Sequence, residues 1–469
     1  MKLKLYDTLL KSSQTLEPFD KDTLKIYTCG PTVYNYAHIG NFRTYIFEDL
    51  LLRTLKYFGY KTNHVMNITD VDDKTIQGAA ENHQTLKQFT TVYTQAFLDD
   101  CKTLNILPAD QYTKATDHIP QMIAMIEKLL SEGLAYQASD GNVFFSIAKF
   151  PNYGKLSHLH LKDLKCGASE RTAGDEYDKE NASDFVLWKA YDQKRDGQFF
   201  WDSPFGKGRP GWHIECSAMA TYALGPTIDL HCGGVDNIFP HHENEIAQSE
   251  GATGVPFSRR WAHAQHLIVD GKKMSKSLGN FYRLKDLLDK GYTGLEIRYL
   301  LLSTHYRTQL NFTLQGLDAA RASLQRLASF FARLKTTDGQ NSSKVEPLLD
   351  QTTDHFNKAL ADDLGISVAL AALFEAVRQL NAWMDAGEVG ATQALTIIRA
   401  FQSYDQALGV LPIEEEKLSI PPELTQALEQ RQAARKNKDW AEADRLRDFI
   451  HESGYLIEDS PHGPTLKKA

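Results

Sequence analysis

Two widely separated strings carry residue types suited to polyphosphate chemistry. In Tyr34-Asn-Tyr-Ala-His38-Ile-Gly40-Asn41, a glycine lies between two side chains that can donate hydrogen bonds, and Gly40 lets a phosphate approach backbone N–H groups. In Lys273-Met-Ser-Lys276-Ser277, followed by Leu-Gly279-Asn, two ammonium groups and two hydroxyls share a glycine-flanked loop. Such a loop can close over a polyphosphate and stabilise charge as pyrophosphate departs. Taken singly, each string also fits an ordinary surface segment: a turn with a histidine, or a loop of solvated lysines.

A second group of residues suits a metal. His241 and Glu245 stand four apart in Pro240-His-His-Glu-Asn-Glu-Ile246, and on a helix they share one face, as two metal ligands do. A polar helix face near a pocket fits the same pair. A zinc-peptidase site requires His-Glu-x-x-His, but counting from His242 the second histidine position holds Ile246, which excludes it. Cys216, in Gly211-Trp-His-Ile-Glu-Cys216-Ser, and Cys29, in Thr28-Cys29-Gly-Pro, each offer a thiolate. No Cys-x-x-Cys occurs, and spacing alone does not bring these cysteines to His241 and Glu245. Cys101, Cys166 and Cys232 read as small buried or surface thiols.

The elements that must position these residues follow from periodicity. Residues 24–29 form a β-prone run, and Gly30-Pro31 makes a turn. Phe42, Tyr45, Ile46, Leu50 and Leu55 then mark one side of a helix ending near Gly59, and residues 62–71 are again β-prone. Strand, helix, strand predicts a βαβ unit and a doubly wound, Rossmann-like parallel sheet. Residues 1–108 read as the first half of this catalytic domain and 109–225 as a connective insertion. Residues 226–310 read as the second half, with strands expected at 227–230 and 266–270. Residues 311–411 carry two helical faces: Leu317, Ala320, Leu324, Leu327, Phe331 and Leu334, then Ile366, Leu370, Leu373, Val377 and Leu380, which predict a helical bundle. Residues 412–469 read as a linker and a small C-terminal module. In that module, Arg435 and Trp440 lie in a basic stretch suited to single-stranded RNA, where phosphates need cations and bases need a stacking platform. A mixed-charge helix with Trp440 in its core fits the same residues.

The chain has 469 residues and a net charge of −8, so any RNA contact must use local basic patches. Five widely spaced cysteines argue against a secreted disulfide framework, and no stretch has the length of a membrane span. A reducing, cytoplasmic setting is expected.

Together the strings resemble the HIGH and KMSKS signatures of class I aminoacyl-tRNA synthetases. The second matches fully; the first departs at Asn41, where the general signature has a second histidine. Thr28-Cys29-Gly-Pro, Asn67-Ile-Thr-Asp-Val-Asp-Asp73, Gly211-Trp-His-Ile-Glu-Cys216-Ser and Phe239-Pro-His-His-Glu-Asn-Glu245 narrow this to cysteinyl-tRNA synthetases, from about residue 3 to the C-terminus. The resemblance implies a zinc held by Cys29, Cys216, His241 and Glu245. It implies ATP with Mg²⁺ as co-substrate, handled by His38, Gly40, Asn41, Lys273 and Lys276. It further implies cysteine contacts from Tyr34, Thr69, Trp212 and Asp236, and a C-terminal region that binds the anticodon of tRNA(Cys). Four protein ligands also suit a purely structural zinc. A related fold that ligates cysteine to an aminosugar is the nearest alternative, and it should lack the bundle and the C-terminal module.

Overall fold

The computed structural model describes residues 1–19, 22–159, 184–275, 278–413, 421–437, 439–460 and 463–468. Two compact units are present, Met1–Leu411 and Pro412–Ala469.

In the first unit, β1 (Lys4–Asp7) and β2 (Ser12–Thr15) pair antiparallel. Next come β3 (Thr23–Thr28), α1 (Ile39–Tyr57), β4 (Lys61–Ile68), α2 (Asp73–Glu81), α3 (Leu86–Thr103), β5 (Gln111–Lys114) and α4 (Ile119–Ser131). The strands β6 (Ala135–Gln137), β7 (Val143–Phe145), β8 (Phe185–Ala190) and β9 (Gly208–Pro210) make an antiparallel sheet of their own. They are followed by α5 (Trp212–Leu224), β10 (Leu230–Gly234), α6 (Glu243–Thr253), β11 (Trp261–Ala264), β12 (Leu267–Val269), α7 (Gly294–Ser303) and β13 (Leu310–Phe312).

The central sheet runs β11-β10-β3-β4-β5 with every neighbour parallel. From β3 the chain winds outward through β4 and β5, then returns to lay β10 and β11 on the other side. The gap between β3 and β10 is thus a topological switch point, where a ligand reaches the carboxyl ends of two diverging strands. Four of the six residues of β3 and the last five of β4 are buried, as expected of strands covered on both faces.

The second-half strands differ from the sequence expectation. β10 starts at Leu230 rather than at 227 and ends in two glycines, residues that depress strand propensity. A Cβ on Gly233 would stand 2.8 Å from the His242 ring, and one on Gly234 would stand 2.3 Å from an Asp236 carboxylate oxygen. Close approach therefore dictates both. The partner strand is Trp-Ala-His-Ala, buried throughout and so without alternation, whereas 267–269 pairs with β13 in a separate two-stranded sheet.

The helical region holds α8 (Leu314–Thr336), α9 (Val345–Ala361), α10 (Ile366–Asp385) and α11 (Ala391–Leu408). All six apolar residues expected on the first face are buried in α8, and all five expected on the second are buried in α10. In the second unit, α12 (Pro422–Lys436), α13 (Trp440–Glu452) and the antiparallel pair β14 (Tyr455–Ser460) and β15 (Gly463–Lys468) close on a core of Leu424, Ala427, Leu446, Ile450 and Leu466. No helix among the described residues is long and apolar enough to cross a membrane.

Candidate active site

Cys29 follows directly on β3, at the switch point. Its backbone N–H donates to the Cys232 carbonyl of β10 at 3.3 Å, which pins it between the two strands. The next residue must be glycine, because a Cβ on Gly30 would stand 1.8 Å from the Asn67 carbonyl oxygen. Cys216 lies in the second turn of α5. His241 lies in the turn Ile238–His242 that leads into α6, rather than on the helix itself, yet its Nε2 is 3.0 Å from Glu245 Oε1. The donor atoms of Cys29, Cys216, His241 and Glu245 all lie within 4.8 Å of one another.

A layer of histidines backs this cluster. His213 Nδ1 meets His241 Nδ1 at 2.8 Å, and His231 Nε2 meets Glu245 Oε2 at 2.8 Å. His242 Nε2 lies 3.2 Å from Cys29 Sγ, while its Nδ1 meets His263 Nε2 at 2.8 Å and His263 Nδ1 meets the Thr8 hydroxyl at 2.7 Å. Burial pushes His241 down to about 3 despite the nearby Glu245 charge, and likewise lowers His213 and His263 to about 3. Their imidazoles are neutral, as metal ligands and their hydrogen-bonding partners must be. Burial also raises the Cys29 thiol well above its ordinary value. For Cys216 the hydrogen bond with Cys29 pulls downward, but burial and the Glu245 charge outweigh it, and the net shift is upward. Thiols, a neutral imidazole and a carboxylate around one buried centre suit a divalent cation, whose charge favours the thiolates.

The first of the phosphate-binding candidates lie at the start of α1, the helix that follows β3. His38 is the N-cap of α1: its Nδ1 accepts from the Asn41 backbone N–H at 3.2 Å, and the Asn41 Oδ1 accepts from the His38 backbone N–H at 3.1 Å. This reciprocal box satisfies two otherwise orphaned donors. It also fixes the tautomer, because an accepting Nδ1 leaves the ring proton on Nε2. A Cβ on Gly40 would stand 2.9 Å from His38 Nδ1 and 3.2 Å from the Met274 methyl, so the two strings touch in space. Lys273 is exposed, and its carbonyl accepts from the Asn280 side chain, which also accepts from the Ser275 N–H at 2.8 Å. Lys276 lies outside the described residues.

The family model described as the class I (C) tRNA synthetase catalytic domain matches residues 15–322. The DALR domain matches residues 355–412, and the cysteinyl-tRNA ligase anticodon-binding domain matches residues 419–463. A cysteine–tRNA ligase of Protochlamydia amoebophila is 56% identical over 467 residues, covering 99% of this chain and 98% of its own length. One of Chlamydia caviae is 54% identical over 470 residues, covering 100% of this chain and 98% of its own. The chain belongs to the cysteine–tRNA ligase family. A methionyl-tRNA synthetase of Mycobacterium tuberculosis, solved with methionyl-adenylate, shares 16% identity at a TM-score of 0.62. That match covers 84% of this chain and 92% of the other, and the likeness is one of fold.

The remaining residues that the family resemblance singles out are spread around the cluster. The Trp212 indole stacks on His241 with ring centroids 4.5 Å apart, so it walls the metal-binding candidates. Thr69 is buried at the end of β4 and accepts from Asn67 Nδ2 at 3.1 Å, while Asn67 Oδ1 accepts from the Gly30 N–H. Tyr34 is exposed with the Lys74 ammonium 4.9 Å over its ring, and Asp236 is exposed in the turn after β10. Arg435 and Trp440 lie in the second unit, on α12 and at the start of α13; Trp440 is 60% exposed and therefore outside that unit's core. The sequence offers His231 and His263 only as weaker candidates for contacts to ATP or substrate; His231 meets Glu245 and His263 meets His242. His242 was not expected at this site, and the His241-His242 doublet was its only local signal.

Proposed function

We propose that the chain activates cysteine with ATP to cysteinyl-adenylate and transfers it to the 3′-terminal adenosine of tRNA(Cys) in the cytoplasm, where thiols stay reduced. The observation that carries this reading is the convergence of Cys29, Cys216, His241 and Glu245 at the switch point of the sheet, where Cys29 follows β3 and the next helix, α1, is capped by His38. When bound by these four residues, zinc supplies a soft Lewis acid that takes the substrate sulfur as thiolate, which serine's harder hydroxyl matches poorly. That chemical difference gives the discrimination that shape alone does not, with no editing step.

The chain's own residues do the rest. Trp212 holds the His241 ring face, Thr69 and Asp236 orient the amino acid's polar groups, and Tyr34 covers it. His38, through Nε2–H, and Asn41, through its amide N–H, donate to phosphoryl oxygens at the N-terminus of α1, with Gly40 allowing the approach. Lys273 and Lys276 offset the charge that builds on the phosphates, alongside Mg²⁺ on the pyrophosphate side. The helical bundle, and the second unit with Arg435 and Trp440, fit tRNA and have no place in the aminosugar-ligase alternative.

Cys216→Ser tests the reading. The cysteine KM in ATP-pyrophosphate exchange should rise at least about 100-fold while the ATP KM stays within about threefold. Active wild-type enzyme that contains no zinc on metal analysis overturns it.

A further inference from the structure

The donors around Glu245 form two sets. Besides Cys29, Cys216, His241 and Glu245, the atoms of Cys29, His231, His242 and Glu245 also lie within 4.8 Å of one another, and the last three side chains are fully buried. In this second set, Cys29 Sγ is 3.2 Å from His242 Nε2 and 3.9 Å from Glu245 Oε1. His242 Nε2 is 3.9 Å from the same carboxylate oxygen, and His231 Nε2 is 2.8 Å from Glu245 Oε2. Ligand atoms of a tetrahedral ion, at bond lengths of about 2.0–2.3 Å, lie roughly 3.3–3.8 Å apart. The four distances given lie within about 0.5 Å of that range.

The outer nitrogens supply an independent observation. His231 Nδ1 lies 3.3 Å from the Cys232 carbonyl oxygen, which only accepts. The tautomer that donates from Nδ1 to this carbonyl keeps the Nε2 lone pair available to a cation on the Glu245 side, whereas the other tautomer donates Nε2–H to Glu245 itself. His242 Nδ1 is held by His263, itself backed by Thr8, the outer-layer support that fixes ring orientation in metal sites.

We propose that Cys29, His231, His242 and Glu245 form a second divalent-metal position, mutually exclusive with the first because both use Cys29 and Glu245. With one thiolate and two imidazoles it favours ions that prefer nitrogen, Ni²⁺ and Co²⁺ more than the two-thiolate set does, and it retains Zn²⁺ when the Cys216 thiolate is lost. The inference rests on reading the first set as a metal centre.

X-ray absorption on full-length Cys216→Ser loaded with Zn²⁺ should count one sulfur and two imidazoles. Loaded with Co²⁺, the same protein should show a thiolate charge-transfer band roughly half as intense as wild type. One sulfur with one imidazole overturns the second position, as does loss of all metal from a folded variant whose wild type binds one equivalent. A wild type that binds no metal overturns the first reading as well, so the two failures are distinguishable. If Cys216→Ser does not fold, wild type loaded with Ni²⁺ carries the test: two imidazoles and one sulfur are expected, and two sulfurs with one imidazole overturn the proposal.

Discussion

His64 lies one residue removed from the cluster, its Nε2 2.9 Å from the hydroxyl of Thr28. Burial pushes its imidazole down to about 4, so the folded chain keeps it neutral where an unfolded chain protonates it. Between about 6.5 and 4 the unfolded state binds the extra proton, so stability falls as pH drops through that window, by about 2 kcal/mol from pH 7 to pH 5. His64→Gln removes this term, and its urea midpoints at the two pH values should lie closer together than those of wild type. Equal spacing would contradict the assignment. The role proposed for Lys276 belongs to a different stage, the charge that exists only as pyrophosphate leaves. Lys276→Ala should slow single-turnover adenylate formation by about 100-fold or more and leave the cysteine dissociation constant nearly unchanged. An unaltered single-turnover rate refutes that role. The candidate phosphate-binding residues could be singled out in the sequence because a glycine-flanked donor string is a local signal. The convergence of Cys29 with Cys216 was not, since it depends on β3 and β10 becoming neighbours across some two hundred residues of chain, and residue spacing carries no information about that adjacency.

At the scale of elements, periodicity recovers what is amphipathic and misses what is buried and charged. The helical faces of α8 and α10 were readable because their apolar residues recur at three and four. By the same logic Asp49, Arg53 and Arg298 read as solvated positions, yet all three are buried. Asp49 on α1 accepts from Arg53 Nε at 2.8 Å, from Arg298 on α7 and from the Leu107 N–H. Arg298 also donates to the carbonyls of Leu104, Asn105 and Leu408, so one guanidinium joins α1, α7, the end of α3 and the end of α11. Such a pair adds little over a well-packed apolar substitute, but removing one member strands the other charge. Asp49→Ala should therefore cost about 3–5 kcal/mol, seen as a lower urea midpoint, and the loss should reach the bundle and the sheet together because the network ties them. A loss under about 1 kcal/mol would mean that water reaches the guanidinium groups and the network is not a dry one.

Across the whole molecule, the phosphate strings, the four converging donors and the sheet that positions them all lie before α8, and the basic, aromatic residues Arg435 and Trp440 lie in a unit with its own core. With a net charge of −8, the chain offers no general attraction to RNA, so affinity for tRNA must come from local contacts of this kind. Removing residues 421–469 should leave cysteine-dependent ATP-pyrophosphate exchange within about twofold of the full chain, because every residue proposed for activation lies in the first unit. Aminoacylation should lose efficiency through a higher KM for tRNA, since the truncated enzyme still performs the chemistry but holds the RNA less tightly. The salt dependence of tRNA binding should become shallower, by roughly one logarithmic unit of slope for each phosphate contact removed. Circular dichroism and an unchanged exchange rate establish that the truncated protein is folded. If that folded protein charges tRNA with the full-length catalytic efficiency, the second unit does not read the anticodon, and recognition must lie in the α8–α11 bundle or on the catalytic unit itself.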